Sequence, residues 1–165
     1  VTGEHFCSMM EVRGVQTASL RISAPYGEFS KAKTVLNIFL EKALNNHAIQ
    51  VHGSGRREQN FTYAGDVLRA IELCLKHDTK GIYEIVAQKN TTMVELARLI
   101  IEMTNSSSQL QVGKIEDPQE NYAPNYSYER AKRELGYKPE FSLRKGLENY
   151  IKWHKKQPGY FMSNL

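Results

Sequence analysis

The chain has 165 residues, 41% of them hydrophobic and 24% charged, and a formal charge of +4 set by 22 Lys and Arg against 18 Asp and Glu. This is enough apolar material for one ordinary globular domain, or for one domain with a piece of another attached. No run of about 18 apolar residues exists to span a bilayer, no basic stretch followed by an apolar one opens the chain, and no basic run exceeds two residues, so the expectation is a soluble, cytoplasmic protein without membrane or nucleic-acid partners, whose charge serves solubility and affinity for small anions.

Glu4 to Val12 carries Phe6, Met9, Met10 and Val12 at mixed helical spacing, and Gly14 closes that segment as a C-terminal cap. The chain thus opens in mid-helix without a capping residue, which leads us to expect that an upstream segment has been removed. Val15 to Ile22 alternates and reads as a strand running into the turn-prone Ser23-Ala24-Pro25-Tyr26-Gly27. From Ser30 to Leu44 the apolar residues Val35, Leu36, Phe39, Leu40, Ala43 and Leu44 share one helical face. Ile49 to His52 is a short strand before Gly53-Ser54-Gly55, and Asn60 to Tyr63 is another.

Asp66 is placed to cap a helix through Val67, Ala70, Ile71, Cys74 and Leu75, and Gly81 to Val86 reads as a strand. Thr91 or Thr92 with Glu95 forms a capping box for a helix through Val94, Leu96, Leu99, Ile100 and Met103, which Asn105 to Ser108 stops. Gln109 to Val112 is a weaker strand, followed by a polar loop from Lys114 to Asn125. Ser127 caps a short helix ending at Leu135-Gly136, and Ser142 caps a longer one through Leu143, Leu147, Tyr150, Ile151 and Trp153. Downstream of residue 45 the strands and helices do not alternate as regular βαβ units, so an α+β arrangement is expected there.

Single motifs carry little chemistry by themselves. Gly53-Ser54-Gly55-Arg56-Arg57 resembles a phosphate-binding loop, yet no helix N-terminus follows it to supply the anion-binding amides, and a tight hairpin turn is the better reading. Arg56 and Arg57 could each offer a guanidinium fork to phosphate or form a solvated pair, and Lys31 with Lys33 stands at the expected start of the helix from Ser30. His5, His47, His52, His77 and His154 show no paired metal-ligand spacing, and Cys7 and Cys74 read as buried free thiols. No nucleophile elbow accompanies the serines.

The order of the segments is more specific than any one of them. Leu20-Arg21-Ile22-Ser23-Ala24-Pro25-Tyr26-Gly27, Val51-His52-Gly53-Ser54-Gly55, Asn60-Phe61-Thr62-Tyr63-Ala64-Gly65-Asp66, Gly81-Ile82-Tyr83-Glu84-Ile85, and Ala131 to Pro139 with Ser142-Leu143-Arg144-Lys145-Gly146-Leu147 follow one another at a characteristic spacing. In order and spacing they resemble the C-terminal half of the extended short-chain dehydrogenases that act on nucleotide sugars. The close, Trp153-His154 to Pro158-Gly159-Tyr160, is similar to the tail of UDP-galactose 4-epimerases.

The resemblance implies an α+β fragment: residues 1–27 as the last helix and strand of a Rossmann-like, NAD-binding α/β domain, and residues 28–165 as the small C-terminal substrate-binding domain. Gly3-Glu4 would match a Gly-Glu that follows the family's Tyr-x-x-x-Lys pair by two residues, so the catalytic Lys would fall one position before Val1. Catalytic Tyr and Lys and the glycine-rich NAD loop would then all lie outside this chain, which would be inactive alone. Full-length relatives of this kind pair through the helix that starts at Val1, which implies a homodimer.

Eight residues are candidates for the site, and the resemblance lends them roles only where this sequence matches the family. Pro25 would line the nicotinamide of NAD, and Ala24 stands where a substrate-contacting Asn is usual. Lys33 and Thr34 would face the diphosphate of the nucleotide sugar, and Gln50 and His52 would border its base. Gln59 replaces an Arg that grips the diphosphate, with Arg57 two residues earlier, and the family's later Arg is missing from the Glu116 to Asn125 loop. Loss of a bidentate phosphate fork is a real chemical change. The leading expectation is therefore a piece of an NAD-dependent nucleotide-sugar epimerase or dehydratase. A non-catalytic binding or regulatory module derived from the same fold is the alternative, and a nucleic-acid-binding domain has only the pI near 9.0 in its favour.

Overall fold

The computed structural model describes residues 2–76 and 78–157. His77 and the tail motif Pro158-Gly159-Tyr160 fall outside the described residues. Helix α1 (Thr2–Val12) ends where expected: Gly14 adopts φ 81°, its amide bonds Glu11 O, and the Val15 amide reaches back to Met10 O at 3.0 Å. That pair of bonds satisfies carbonyls the helix leaves open, and glycine takes the left-handed turn without a Cβ penalty. Phe6, Met9 and Val12 are exposed on α1, and none of its residues is buried.

Strand β1 (Ala18–Ile22) is three residues shorter than expected. It pairs in parallel with β4 (Gly81–Ile85), in register from Ala18 opposite Gly81 to Ile22 opposite Ile85. No strand lies on its other edge among the described residues. Helix α2 (Val35–Leu44) begins five residues later than the reading from Ser30, because Thr34 is the residue whose side chain caps it, accepting from the Asn37 amide. Lys31 and Lys33 therefore lie in an irregular stretch before the helix rather than in its first turn.

Strand β2 (Ile49–Val51) pairs in parallel with β6 (Leu110–Val112), and β3 (Glu58–Gln59) pairs antiparallel with β5 (Thr91–Thr92). The hairpin expected around Gly53-Ser54-Gly55 is thus not formed, because the strands on either side of the turn take partners from distant segments instead of each other. The strand expected at Asn60–Tyr63 is replaced by β3 just before it, with a single parallel bridge from Tyr63 to Tyr26.

Helix α3 (Ala64–Lys76) contains Asp66 in its first turn, not at its cap. The buried Asp66 carboxylate accepts the amides of Glu140 at 2.9 Å and Phe141 at 3.3 Å, so it ties α3 to the segment that leads into α6 (Leu143–Lys156). Helix α4 (Met93–Thr104) carries the capping box, with Thr92 and Glu95 exchanging bonds, and Asn105 ends it in the left-handed conformation. Helix α5 (Glu129–Leu135) has Tyr128 at its cap position, one residue later than expected, while the Ser127 hydroxyl still accepts the Glu129 amide. Ser142 caps α6 by accepting the Lys145 amide.

Two apolar clusters result. Tyr26, Leu36 and Leu40 of α2, Phe61, Leu96 and Ile100 of α4, and Leu147 and Tyr150 of α6 form the larger; Ala70 of α3, Tyr83 and Ile85 of β4, and Leu135 and Tyr137 around α5 form the second. Cys7 and Cys74 are free but only half-buried, since both sit on helix faces that these clusters do not fully cover. No helix among the described residues is long and apolar enough to cross a membrane.

Candidate functional site

Two adjoining cavities, each of about 280 Å³, open where the end of β1, the start of α2, β2 and β3 converge. One is lined by Ala24, Pro25, Tyr26, Thr34, Val35, Leu36, Arg57, Gln59 and Phe61. The other is lined in part by Lys42, Gln50, His52, Met93 and Asp117, and shares Val35 and Arg57 with the first. Of the eight residues singled out from the sequence, Ala24, Pro25, Thr34, Arg57 and Gln59 meet at the first cavity, and Gln50, His52 and again Arg57 at the second. Lys33 is exposed and lines neither.

Local backbone chemistry sets these positions. Ala24, at the end of β1, adopts φ 30°, and the Tyr26 amide bonds Thr62 O at 3.1 Å, which holds the Ala24-Pro25 corner against the chain that follows β3. Ser23 is buried there and its hydroxyl donates to Asn60 O at 2.8 Å. Beneath the corner, Tyr26 packs on Tyr63 with ring centroids 5.6 Å apart. Burial, reinforced by its bond to Glu28, pushes the Tyr63 phenol up to about 12, so it stays protonated and donates to that carboxylate at 2.7 Å. These tyrosines are structural supports at neutral pH.

The glycine turn does not cradle an external anion as it stands. Its three amides are committed within the chain: Gly53 to Ile115 O at 2.7 Å, Ser54 to the Glu120 carboxylate at 3.0 Å, and Gly55 to His52 O at 3.2 Å. Gly55 has φ 73°, and a Cβ there would meet side-chain atoms of Val94 and, at 2.8 Å, Val51, so the close approach of the turn to α4 requires glycine.

The basic residues beyond the turn are likewise engaged. Arg56 contacts the Ser54 hydroxyl at 3.0 Å and lies 3.7 Å from Glu120 at the surface. Arg57 donates from Nη1 to Gln119 at 3.0 Å, and its Nε lies 3.0 Å from the Asp117 carboxylate, close enough for an ion pair though off the line of a hydrogen bond. Asp117 is 9% exposed, and its other oxygen accepts the Gln119 amide at 2.9 Å. Asp117 was missed in the sequence because nothing local links it to Arg57, 60 residues earlier; only the Asp-Pro step, a turn signal, marks its loop.

Lys42 is the second cation at the cavities, and the apolar remainder of the second one comes from Ile38, Phe39 and Val51. A flat, partly polar group would therefore fit between α2 and β2, and an anionic or hydroxyl-bearing group at Arg57 and Gln59. Among the described residues no group of three or more His, Cys, Asp or Glu is placed to hold a metal ion.

Relatives of known description share this chain. A putative UDP-glucose 4-epimerase of Methanocaldococcus jannaschii is 30% identical over 158 residues, covering 93% of this chain and 50% of that protein. A dTDP-D-glucose 4,6-dehydratase of Mus musculus is 29% identical, covering 82% of this chain and 40% of the relative. The fold matches that of the Thermotoga maritima UDP-glucose 4-epimerase solved with UDP-glucose, at a TM-score of 0.84 and 23% identity over 95% of this chain and 52% of that one. It also matches the Bordetella bronchiseptica enzyme WbmF solved with NADH, at 0.88 and 24% over 98% and 52%. The chain spans about half the length of the curated relatives it matches. Residues 1–87 match the NAD dependent epimerase/dehydratase family, and the chain belongs to it.

Proposed function

We propose that this chain is the substrate-binding part of an NAD-dependent enzyme that epimerises or dehydrates a nucleotide sugar. The observation that carries the reading is the convergence at Arg57: the two cavities that meet there gather seven of the eight residues singled out from the sequence for cofactor or substrate. The base would lie between α2 and β2 near Gln50 and His52, the diphosphate at Arg57, Gln59 and Thr34, and the sugar toward Ala24. Relatives described as UDP-glucose 4-epimerase and dTDP-D-glucose 4,6-dehydratase support this chemical class.

NAD is the proposed cofactor of the whole protein, with Pro25, exposed at the end of β1, flanking the nicotinamide. The described residues offer the dinucleotide little else, since no strand, glycine-rich turn and helix N-terminus follow one another to receive a pyrophosphate. NAD binding by residues outside this chain is therefore part of the proposal, as are the catalytic Tyr and Lys, and no chemical step is assigned to residues 2–157. Residues 1–27 are the proposed edge of the NAD-binding domain and 28–165 the substrate domain, with β4 returning to pair with β1. The exposed Phe6, Met9 and Val12 of α1 support a homodimer.

The alternative, a non-catalytic module, gains some weight from Gln59 and from the internal pairing of Arg57. Mass spectrometry of what co-purifies with the protein in its natural host, together with a turnover assay on UDP-glucose and dTDP-glucose, tests the proposal. Retention of NAD and conversion of either sugar nucleotide is the expected result; retention of a sugar nucleotide without NAD or turnover would favour the module.

A further inference from the structure

The loop from 113 to 125 is strapped to β2, the glycine turn, β3 and the segment before β5. Gly113 N bonds Val51 O at 3.2 Å, the Gly53 amide bonds Ile115 O at 2.7 Å, the Glu58 amide bonds Tyr122 O at 2.8 Å, and Asn90 donates to Pro124 O at 2.7 Å. These bonds fix Asp117 in the wall of the second cavity, against the one arginine that both cavities share. The Nη2 group of Arg57 makes no hydrogen bond among the described residues, so the guanidinium has an open edge although its charge is already offset.

We propose that Asp117 is a specificity-determining residue, an internal anion that competes with a ligand's phosphate for Arg57. The proposal rests on the nucleotide-sugar reading above and adds a rule of selection to it. A diphosphate entering at Arg57 meets the carboxylate held 3.0 Å from Nε, in a wall that is nearly closed to solvent and its screening ions. Like charges brought together there oppose binding, and they do so more strongly as the ligand carries more charge. Lys42 is the only other cation lining either cavity among the described residues, and its flexible ammonium lacks the fork that would compensate. The site therefore favours ligands through their base and sugar, and restrains the contribution of the phosphates.

Calorimetric titration of UDP and of uridine into the wild-type protein, Asp117→Asn, Asp117→Ser, Arg57→Ala and Asp117→Asn/Arg57→Ala tests this. Both single changes at 117 keep an acceptor for the Gln119 amide, since Ser and Asn hold the same local turn, and thermal melts confirm that each variant is folded. Asp117→Asn and Asp117→Ser are expected to bind UDP about tenfold or more tightly than the wild type and to bind uridine unchanged, and the double variant is expected to bind UDP more tightly than Arg57→Ala, where the unpaired carboxylate opposes the phosphates alone. If the wild type binds UDP and neither change at 117 tightens it, or both weaken it, Asp117 only positions Arg57; the proposal is overturned while the nucleotide reading stands. Equal tightening of uridine and UDP overturns it as well, because the effect would not follow the phosphates. If no variant binds either compound, the nucleotide reading fails and this proposal falls with it.

Discussion

The hydroxyl of Tyr26 occupies the space that a side chain on Gly146 would need. It donates to Leu143 O at 3.3 Å, on the first turn of α6, and an ideal Cβ on Gly146 would clash with that oxygen and lie 3.0 Å from Cζ of the same ring. The corner that carries Ala24 and Pro25 is thereby seated directly on α6, which ties the floor of the candidate site to the far end of the chain.

Gly146→Ala should accordingly destabilise the protein by about 1 to 3 kcal/mol, the cost of overpacking a filled interior, despite the better helix propensity of Ala. In a Tyr26→Phe background the clash with the hydroxyl disappears while the ring remains, so the same substitution should cost less. Urea denaturation of the four proteins of this cycle measures the difference; equal costs in both backgrounds would place the strain elsewhere.

Asp66 links elements that are distant in sequence. Replacing it with Ala leaves the part-buried amides of Glu140 and Phe141 without their acceptor, and the expected loss is about 2 to 3 kcal/mol. Arg69, which pairs with Glu140 at the surface, does not compensate, because an exposed pair contributes little. Denaturant melts of Asp66→Ala beside Arg69→Ala check this, the second change being nearly neutral.

These two contacts also show what the sequence can and cannot reveal. The capping box of Thr92 and Glu95, the Ser142 cap and the left-handed ends at Gly14 and Asn105 involve neighbours within a turn or two, and all were legible from residue types alone. Asp66 looks like a cap for the same local reason, yet its partners lie more than 70 residues away. The Gly53-Ser54-Gly55 turn looks like a hairpin because the strands around it are short and adjacent, and only their pairing with β6 and β5 rules that out. Seven of the cavity-lining positions were singled out from the sequence, whereas the presence of Lys42, Met93 and Asp117 beside them and the pairing of Arg57 with Asp117 are products of the tertiary fold.

His154 gives the protein an acid limit. It is 5% exposed, packed against Tyr150 and Trp153, and burial holds its imidazole down at about 4, below the ordinary value of 6.5. The unfolded chain therefore takes up a proton between pH 6.5 and 4 that the folded chain refuses, so stability falls as pH drops through that window. The melting temperature of the wild type should decline from pH 6.5 to 4 more steeply than that of His154→Gln. Parallel curves would show that other groups govern the acid transition.

The last expectation concerns how Arg57 and Gln59 share one cavity. Side chains two positions apart on an extended segment point to the same side, and both residues do line the cavity beneath Ala24 and Pro25. A charge-assisted bond to phosphate contributes about 1.5 to 3 kcal/mol, so Arg57→Ala should weaken nucleotide-sugar binding about tenfold or more even against the opposition of Asp117. Gln59→Arg places a second guanidinium in the same wall, without Asp117 at its side, and should recover part of that loss in the Arg57→Ala background. Lys33 is exposed and outside both cavities, so Lys33→Ala should leave affinity unchanged. Calorimetry with UDP-glucose separates these cases. A loss at Lys33 with none at Arg57 would move the diphosphate out of the cavities to the segment before α2, with Lys33 and Thr34 as its residues.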